Sequence, residues 1–221
     1  MKNVESRLLE CIRAFYGDVR GILDIFKGLN PFELLISTII SQNTNWKNVE
    51  RAMANLRNEK LLSIDEVLKA DIGVLERALR VAGLYRVKAV RIKEIAGRLK
   101  SWGLSLEDIL SLDPQDARAK LMELPAVGYK TADILLTFKA DVPVIPIDTH
   151  IERVAKRLGL VGRNAGYEEI RRRLESFVPP NERALFHLAL IKFGREICRA
   201  RNPACDVCPL SDVCSSSSVK P

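Results

Sequence analysis

Apolar residues recur at spacings of three and four along almost the whole chain, as in Leu8, Ile12 and Phe15. This spacing places them on one face of an amphipathic helix, so the pattern predicts an all-α protein. Only "VPVIPI" (142–147) indicates extended chain, and its two prolines argue against a strand within a sheet. Helices are expected at 4–16, 31–43, 46–58, 63–69, 72–82, 86–101, 105–111, 114–122, 129–140, 149–158, 166–176 and 181–196.

The length of 221 residues allows one large or two small domains, which can bury a core without disulfides. No run approaches about eighteen consecutive apolar residues, and the first residues show no apolar signal region. We therefore expect an intracellular protein that does not enter a membrane. The tail "SSSSVKP" (215–221) is expected to be disordered, because it has almost nothing apolar to bury.

The chain is basic, with 35 Lys and Arg against 28 Asp and Glu and a formal charge of +7. Such an excess suits a polyanionic partner. The basic residues are concentrated in 85–100, 171–173 and 195–203. Taken singly, each of these runs is better explained as the solvated face of a helix.

Four of the five cysteines lie within seventeen residues, spaced C-x6-C-x2-C-x5-C at Cys198, Cys205, Cys208 and Cys214. An iron–sulfur cluster, a zinc site and disulfides are all open on spacing alone. The compact run favours a cluster, because structural zinc sites use two close pairs and an intracellular protein keeps its thiols reduced. Cys11 stands apart and is expected to be a small buried apolar residue.

A helix–turn–helix hairpin is predicted at "LPAVGYKTADILL" (124–136), where Pro125 and Gly128 interrupt the helical pattern. A glycine turn that leads into a helix exposes backbone N–H groups that can hold a phosphate. An ordinary connection between helices would give the same pattern.

A second helix start follows at "VPVIPIDTHIERV", where Thr149 and Glu152 match a capping box and Asp148 is explained as a helix-start residue. Lys130 taken alone is a surface lysine. Lys130 and Asp148 are more informative together, because a lysine at the positive end of a helix and near desolvating surface has a lowered pKa that favours the nucleophilic amine.

The segments "LPAVGYKTA", "IDTHIERV" and the four-cysteine run, in this order, resemble the endonuclease III branch of the helix-hairpin-helix DNA glycosylases. "FELLISTIISQNTN" and "AGLYRVKA" are also similar to segments of that family, so the resemblance covers about residues 30 to 214. Three departures concern the substrate range. Ala126 and Tyr129 stand where the family usually has Gly and Arg, and Asn43, next to Gln42, falls where it usually has Gln.

The resemblance implies a two-lobed fold, with a six-helix lobe at 25–142 and a second lobe formed by 1–24 and 143–221. It implies one 4Fe-4S cluster per chain, bound by the four cysteines of the loop 198–214. Lys130 would be the nucleophile that forms a Schiff base with the sugar, and Asp148 would stabilise the developing positive charge. The implied DNA contacts are Gln42, Asn43, Leu84, Gly128, Tyr129, Thr131, Arg199 and Arg201.

Leu84 matches the wedge that enters the base stack in this family, and Asn43 or Gln42 would bind the base left without a partner. The alternatives are a leucine of the core and an amide that caps a helix.

The function implied is a base-excision-repair DNA glycosylase with AP lyase activity, acting as a cytoplasmic, nucleoid-associated monomer on oxidised pyrimidines in double-stranded DNA. A monofunctional glycosylase for alkylated purines or mismatched thymine or uracil is the nearest alternative. Some relatives of that kind resemble "QNTNWKNVE", where Trp46 would be a stacking or core aromatic. A non-enzymatic helix-hairpin-helix DNA-binding module and an electron carrier are further alternatives.

Overall fold

A computed structural model of the protein describes residues 4–217. Every regular element in that range is helical, as the apolar spacing predicts. The chain divides into a discontinuous unit, Met1–Phe26 with Asp141–Pro221, and a continuous unit, Lys27–Ala140. The helices are α1 (Val4–Arg13), α2 (Tyr16–Gly28), α3 (Pro31–Ser41), α4 (Trp46–Asn58), α5 (Ile64–Lys69), α6 (Ile72–Leu79), α7 (Tyr85–Trp102), α8 (Leu106–Leu110), α9 (Pro114–Met122), α10 (Tyr129–Lys139), α11 (Thr149–Arg157), α12 (Tyr167–Glu175) and α13 (Arg183–Glu196).

The continuous unit is built around α3, whose residues 34–40 are all buried. The helix begins at a capping box in which Asn30 Oδ1 accepts from Glu33 N–H and Glu33 accepts from Asn30 N–H, each at 2.9 Å. Pro31 at the first helical position suits this start, because the N–H that it lacks has no partner within a helix. Helices α4, α7 and α10 pack against α3.

The discontinuous unit is built around α13, which buries Phe186, Leu190 and Phe193. Helices α1 and α11 pack against α13, and α12 packs against α11. The ring of Phe15 meets that of Phe193 edge to face, with centroids 6.0 Å apart.

The segment 142–147 forms no regular element and pairs with no strand among the described residues, as its prolines predict. Val144 N–H donates to Val142 O at 2.8 Å, and side chains satisfy two further N–H groups. Ile145 N–H donates to Glu175 Oε1 at 2.9 Å, and Ile147 N–H donates to Tyr167 Oη at 3.2 Å. The segment therefore enters α11 along a fixed path.

Helix α2 is absent from the sequence-based prediction, which was wrong here. Glycines at 17, 21 and 28 weaken the local helical signal, and of this helix only Val19 is fully buried. The first helix ends at Arg13 instead of residue 16, and α3 ends at Ser41 instead of residue 43. Gln42 and Asn43 therefore lie in a turn.

The expected disorder of the tail does not hold for residues 215–217. They form a turn in which Ser216 N–H donates to Arg157 O at 3.2 Å. The remaining residues of that prediction, 218–221, lie outside the described range. Across residues 4–217, none of the helices combines the length and apolarity needed to cross a membrane.

Candidate functional site

The predicted hairpin is present in the continuous unit, formed by α9, the hairpin turn (residues 124–128) and α10. Gly128 is the N-cap residue of α10, and a Cβ added there would meet nothing within 4 Å. Lys130 follows in the first turn and is half-buried, and Tyr129 is 46% exposed. The first N–H groups of α10 have no acceptor within the helix, so this end of the helix attracts anions.

Ala126 has a φ of 61°, in the left-handed region that favours glycine. A residue with a Cβ therefore holds this turn in a conformation that carries local strain.

A buried ion pair lies one helical turn beyond Lys130. Asp133, 1% exposed, accepts at 2.8 Å from Arg118 Nη2 of α9. The same guanidinium lies 4.9 Å from the centre of the Tyr129 ring, which is within cation–π range. Arg118 thus joins both helices of the hairpin. The sequence analysis missed this pair, because an Arg and an Asp fifteen positions apart carry no local signal.

A second turn follows α3 at residues 41–45, here named the plug turn. Gln42 is held on both sides of its amide: Oε1 accepts from Arg91 Nη1 at 3.1 Å, and Nε2 donates to Ala126 O at 3.4 Å. Asn43 is exposed and has a φ of 56°. Gln42 therefore links the plug turn to the hairpin turn, and Asn43 is the amide that faces outward.

The third turn, residues 80–84, is here named the wedge turn. Leu84 is 57% exposed and has a φ of 47°, an unusual combination for a leucine. The alternative of a core leucine is therefore excluded. A strained backbone that holds an apolar side chain in solvent is typical of a contact residue.

Asp148 is the N-cap residue of α11 in the discontinuous unit, and its Oδ1 accepts from His150 N–H and Ile151 N–H, each at 2.9 Å. The interpretation of Asp148 as a helix-start residue is confirmed. The expected capping box of Thr149 and Glu152 is wrong, because Asp148 occupies the N-cap position and Thr149 is the first helical residue. Glu152 instead binds Lys156 at 2.6 Å. Oδ2 takes no part in the cap.

Helix α11 also holds the backbone of the cysteine loop through two arginines that sequence reasoning missed. Arg153 Nε donates to Cys198 O at 3.0 Å, and Arg157 donates to Arg199 O at 2.6 Å and to Ala200 O at 3.0 Å. Arg157 Nη1 also donates to Cys198 Sγ at 3.4 Å. One helix therefore carries Asp148 at its start and supports the loop at its end.

The four clustered cysteines line one cavity of about 110 Å³, closed on its inner side by apolar side chains such as Phe193 and Leu210. Burial raises the pKa of the Cys208 thiol, and the charges of the three other cysteines raise it further. Four sulfur donors around a cavity of this size fit a polynuclear iron–sulfur centre. Cys11 is half-buried on α1 and does not line the cavity.

Arg199 and Arg201 are exposed on the cysteine loop, where Arg199 Nε donates to Asn202 O at 3.1 Å. Residues of the other basic runs form ion pairs with acidic side chains. Arg171 binds Glu168 at 2.7 Å, and Lys100 binds Asp65 at 2.8 Å. Thr131 is 5% exposed, so its side chain is buried. Trp46 is half-buried at the start of α4, where its indole N–H donates to Glu50 Oε1 at 2.7 Å.

The chain is similar to proteins of base excision repair. Residues 36–180 match the family described as HhH-GPD superfamily base excision DNA repair protein, and residues 198–214 match the iron-sulfur binding domain of endonuclease III. Endonuclease III of Sulfolobus acidocaldarius is 36% identical over 85% of this chain and 83% of its own length. Endonuclease III of Bacillus subtilis is 34% identical over 84% and 81%.

Solved structures agree with the sequence matches. An endonuclease III trapped on DNA as a covalent intermediate with an estranged adenine has 30% identity and a TM-score of 0.75, and the match covers 91% of this chain and 96% of that one. The matched iron–sulfur segment spans the four cysteines that line the cavity, which confirms the expected 4Fe-4S cofactor. The chain belongs to the HhH-GPD superfamily of base excision DNA repair proteins and, within it, to the endonuclease III family.

Proposed function

We propose that this protein excises oxidised pyrimidines from double-stranded DNA through Lys130 and Asp148 and then cuts the strand at the abasic site. As a member of the endonuclease III family, the chain is a base-excision DNA glycosylase with AP lyase activity. The observation that supports the two residues is their placement: each lies at the N-terminal end of a helix, Lys130 in the first turn of α10 and Asp148 as the N-cap of α11.

Lys130 acts as the nucleophile. The positive end of α10 disfavours an ammonium in the first turn, so the free amine is favoured. Its nitrogen lone pair forms a bond to C1′ of the sugar as the bond from C1′ to the base breaks, and the base leaves with that electron pair and takes up a proton. Asp148 stabilises the positive charge on the sugar and accepts the proton that the amine loses.

Strand cleavage follows from the imine between Lys130 and C1′. This imine forms when the bond from C1′ to the ring oxygen O4′ breaks and O4′ takes the electron pair and a proton, which opens the sugar ring. C2′ then loses a proton, and the bond from C3′ to its phosphate oxygen breaks, so the phosphate leaves with the electron pair. Water then hydrolyses the imine and restores the amine of Lys130. A hydrolytic glycosylase needs no such amine, and for this reason the lysine favours the bifunctional reaction.

The DNA contacts are proposed on the three turns of the continuous unit and on the cysteine loop. Leu84 enters the base stack from the wedge turn, and Asn43, with Gln42 beside it, binds the orphaned base. At the hairpin, Gly128, Tyr129 and Thr131 bind phosphate. Because the Thr131 side chain is buried, its contact comes from the backbone N–H. Arg199 and Arg201 bind phosphates from the cysteine loop.

When bound, the cluster supplies four iron–thiolate bonds that cross-link the loop, and its proposed role is structural. We further propose that the protein acts as a monomer, since one chain carries both Lys130 and Asp148, and that it works in the cytoplasm at the nucleoid, where its substrate is.

Borohydride should trap the wild-type protein on abasic DNA, because it reduces the imine to a stable amine. Lys130→Ala and Lys130→Arg should both bind DNA yet lose trapping and strand cleavage, since neither provides an amine that forms the imine. Asp148→Asn should fold and bind but lose most of the single-turnover excision rate. Equal trapping of Lys130→Ala and wild type would overturn the assignment and favour the hydrolytic alternative.

The lesion class is tested with duplexes that contain thymine glycol, dihydrouracil, uracil, an alkyladenine or a thymine mismatched with guanine. Single-turnover excision should be fastest for the first two. Preferential release of alkyladenine or mismatched thymine would reject oxidised pyrimidines as the main substrate, whichever product ends are formed.

The purified protein should be yellow-brown and contain about four irons per chain. Cys205→Ser should lower the iron content, destabilise the discontinuous unit and weaken DNA binding, because the loop depends on the cluster for its shape. Cys11→Ser is the matched control and should keep the iron. A colourless, active wild-type protein that contains zinc would contradict this account.

A further inference from the structure

Lys88 is a buried cation that the proposed chemistry does not use. It lies in the first turn of α7 and is 1% exposed, among the largest fully buried side chains of the described residues. Burial, and then the charge of Arg91, lower its pKa. Burial of a lysine is rare and costly unless its N–H groups are bound, so its partners indicate what it does.

The partners of Lys88 are the carbonyls at the ends of two different helical segments. Its Nζ donates to Ile40 O, in the last turn of α3, at 2.8 Å, and to Ala82 O, the last residue of the 3-10 turn at 80–82, at 2.9 Å. Carbonyls at the C-terminal end of a helix lack N–H donors within it and carry partial negative charge, which the ammonium satisfies.

The two carbonyls lie next to the strained residues of the two turns that are proposed to enter the DNA. Ile40 directly precedes the plug turn with Asn43, and Ala82 lies within the wedge turn, directly before Gly83 and Leu84. Asn43 and Leu84 both have positive φ, a conformation that persists only where the surroundings hold it in place. A single ammonium therefore holds the backbone of both strained turns in place.

Arg91, one turn further along α7, extends the connection. It donates to Gln42 Oε1 at 3.1 Å, and Gln42 Nε2 donates to Ala126 O of the hairpin turn at 3.4 Å. One face of α7 thus joins the plug, wedge and hairpin turns within the continuous unit.

We propose that Lys88 is a positioning residue for base extrusion: it sets the separation between Leu84 and the plug turn, so that the wedge and the amide enter the duplex together. The proposal rests on the function proposed above. The lysine does not contact the reacting atoms, and its effect is confined to the step in which a paired base leaves the stack.

Lys88→Met keeps the length of the side chain but removes its donors, and it separates this role from a merely structural one. Extrusion is read from the fluorescence of 2-aminopurine placed in the strand opposite thymine glycol, next to the orphaned base. The variant should lose most of the fluorescence rise and excise thymine glycol about 10- to 100-fold more slowly. Cleavage at a preformed abasic site, which has no base pair to break, should change little.

Lys93→Met is the matched control, because Lys93 lies on the same helix and donates to a carbonyl, Leu68 O at 3.3 Å, that is remote from the turns. It should leave both the fluorescence and the excision unchanged. The double variant with Lys88→Met and Leu84→Ala should excise thymine glycol only slightly more slowly than Leu84→Ala alone, since both changes act on the same step.

The role of Lys88 would be overturned if Lys88→Met slowed the excision of thymine glycol and the cleavage of abasic DNA equally. Additive losses of excision rate with Leu84→Ala, or an unchanged fluorescence signal, would also overturn it. If Lys88→Met is recovered unfolded by circular dichroism, Lys88→Gln, which keeps one donor group, serves the same comparison. A wild-type protein that cannot cut abasic DNA would instead reject the proposed function, so the two failures are distinguishable.

Discussion

The chemistry of this protein depends on the unpaired backbone groups at the ends of its helices. A helix leaves its first N–H and its last C=O groups without internal partners, and in an all-helical chain these ends are where charge can be recognised. The N-terminal ends of α10 and α11 carry Lys130 and Asp148. The C-terminal end of α3 is bound by the ammonium of Lys88. The residues proposed for catalysis, DNA binding and positioning are thus all related to the unpaired backbone groups at helix ends.

The cysteine loop has only short local backbone hydrogen bonds, such as those of the 3-10 turn Cys205–Val207, and it takes further backbone partners from α11. Arg153 and Arg157 of α11 donate to carbonyls at residues 194 and 198–200, and the turn at 215–217 closes against the end of the same helix. The loop is therefore partly organised by the protein, and the cluster completes it. Because the cluster organises the loop and does not take part in the proposed chemistry, loss of a cysteine is expected to affect stability and DNA binding more than the chemical step.

Local patterns in the sequence predicted most helices, the hairpin and the cysteine site, because capping, helical periodicity and ligand spacing are all short-range signals. Helix α2 was missed because its three glycines weaken the helical signal of the sequence. Long-range partners could not be predicted: Lys88 belongs to a basic run that also fits a solvated face, yet it is buried between two carbonyls. The exposure and positive φ of Leu84 likewise depend on the fold, and the sequence alone allowed a core residue there.

The central claim is that the amine of Lys130 bonds to the sugar. The most direct measurement is mass spectrometry of peptides from the wild-type complex after borohydride reduction on abasic DNA and digestion of both components. The account predicts one modified site, with the sugar remnant on the peptide that contains Lys130 and on its side-chain nitrogen. A remnant on the N-terminal amine or on another lysine, with the Lys130 peptide unmodified, would contradict it.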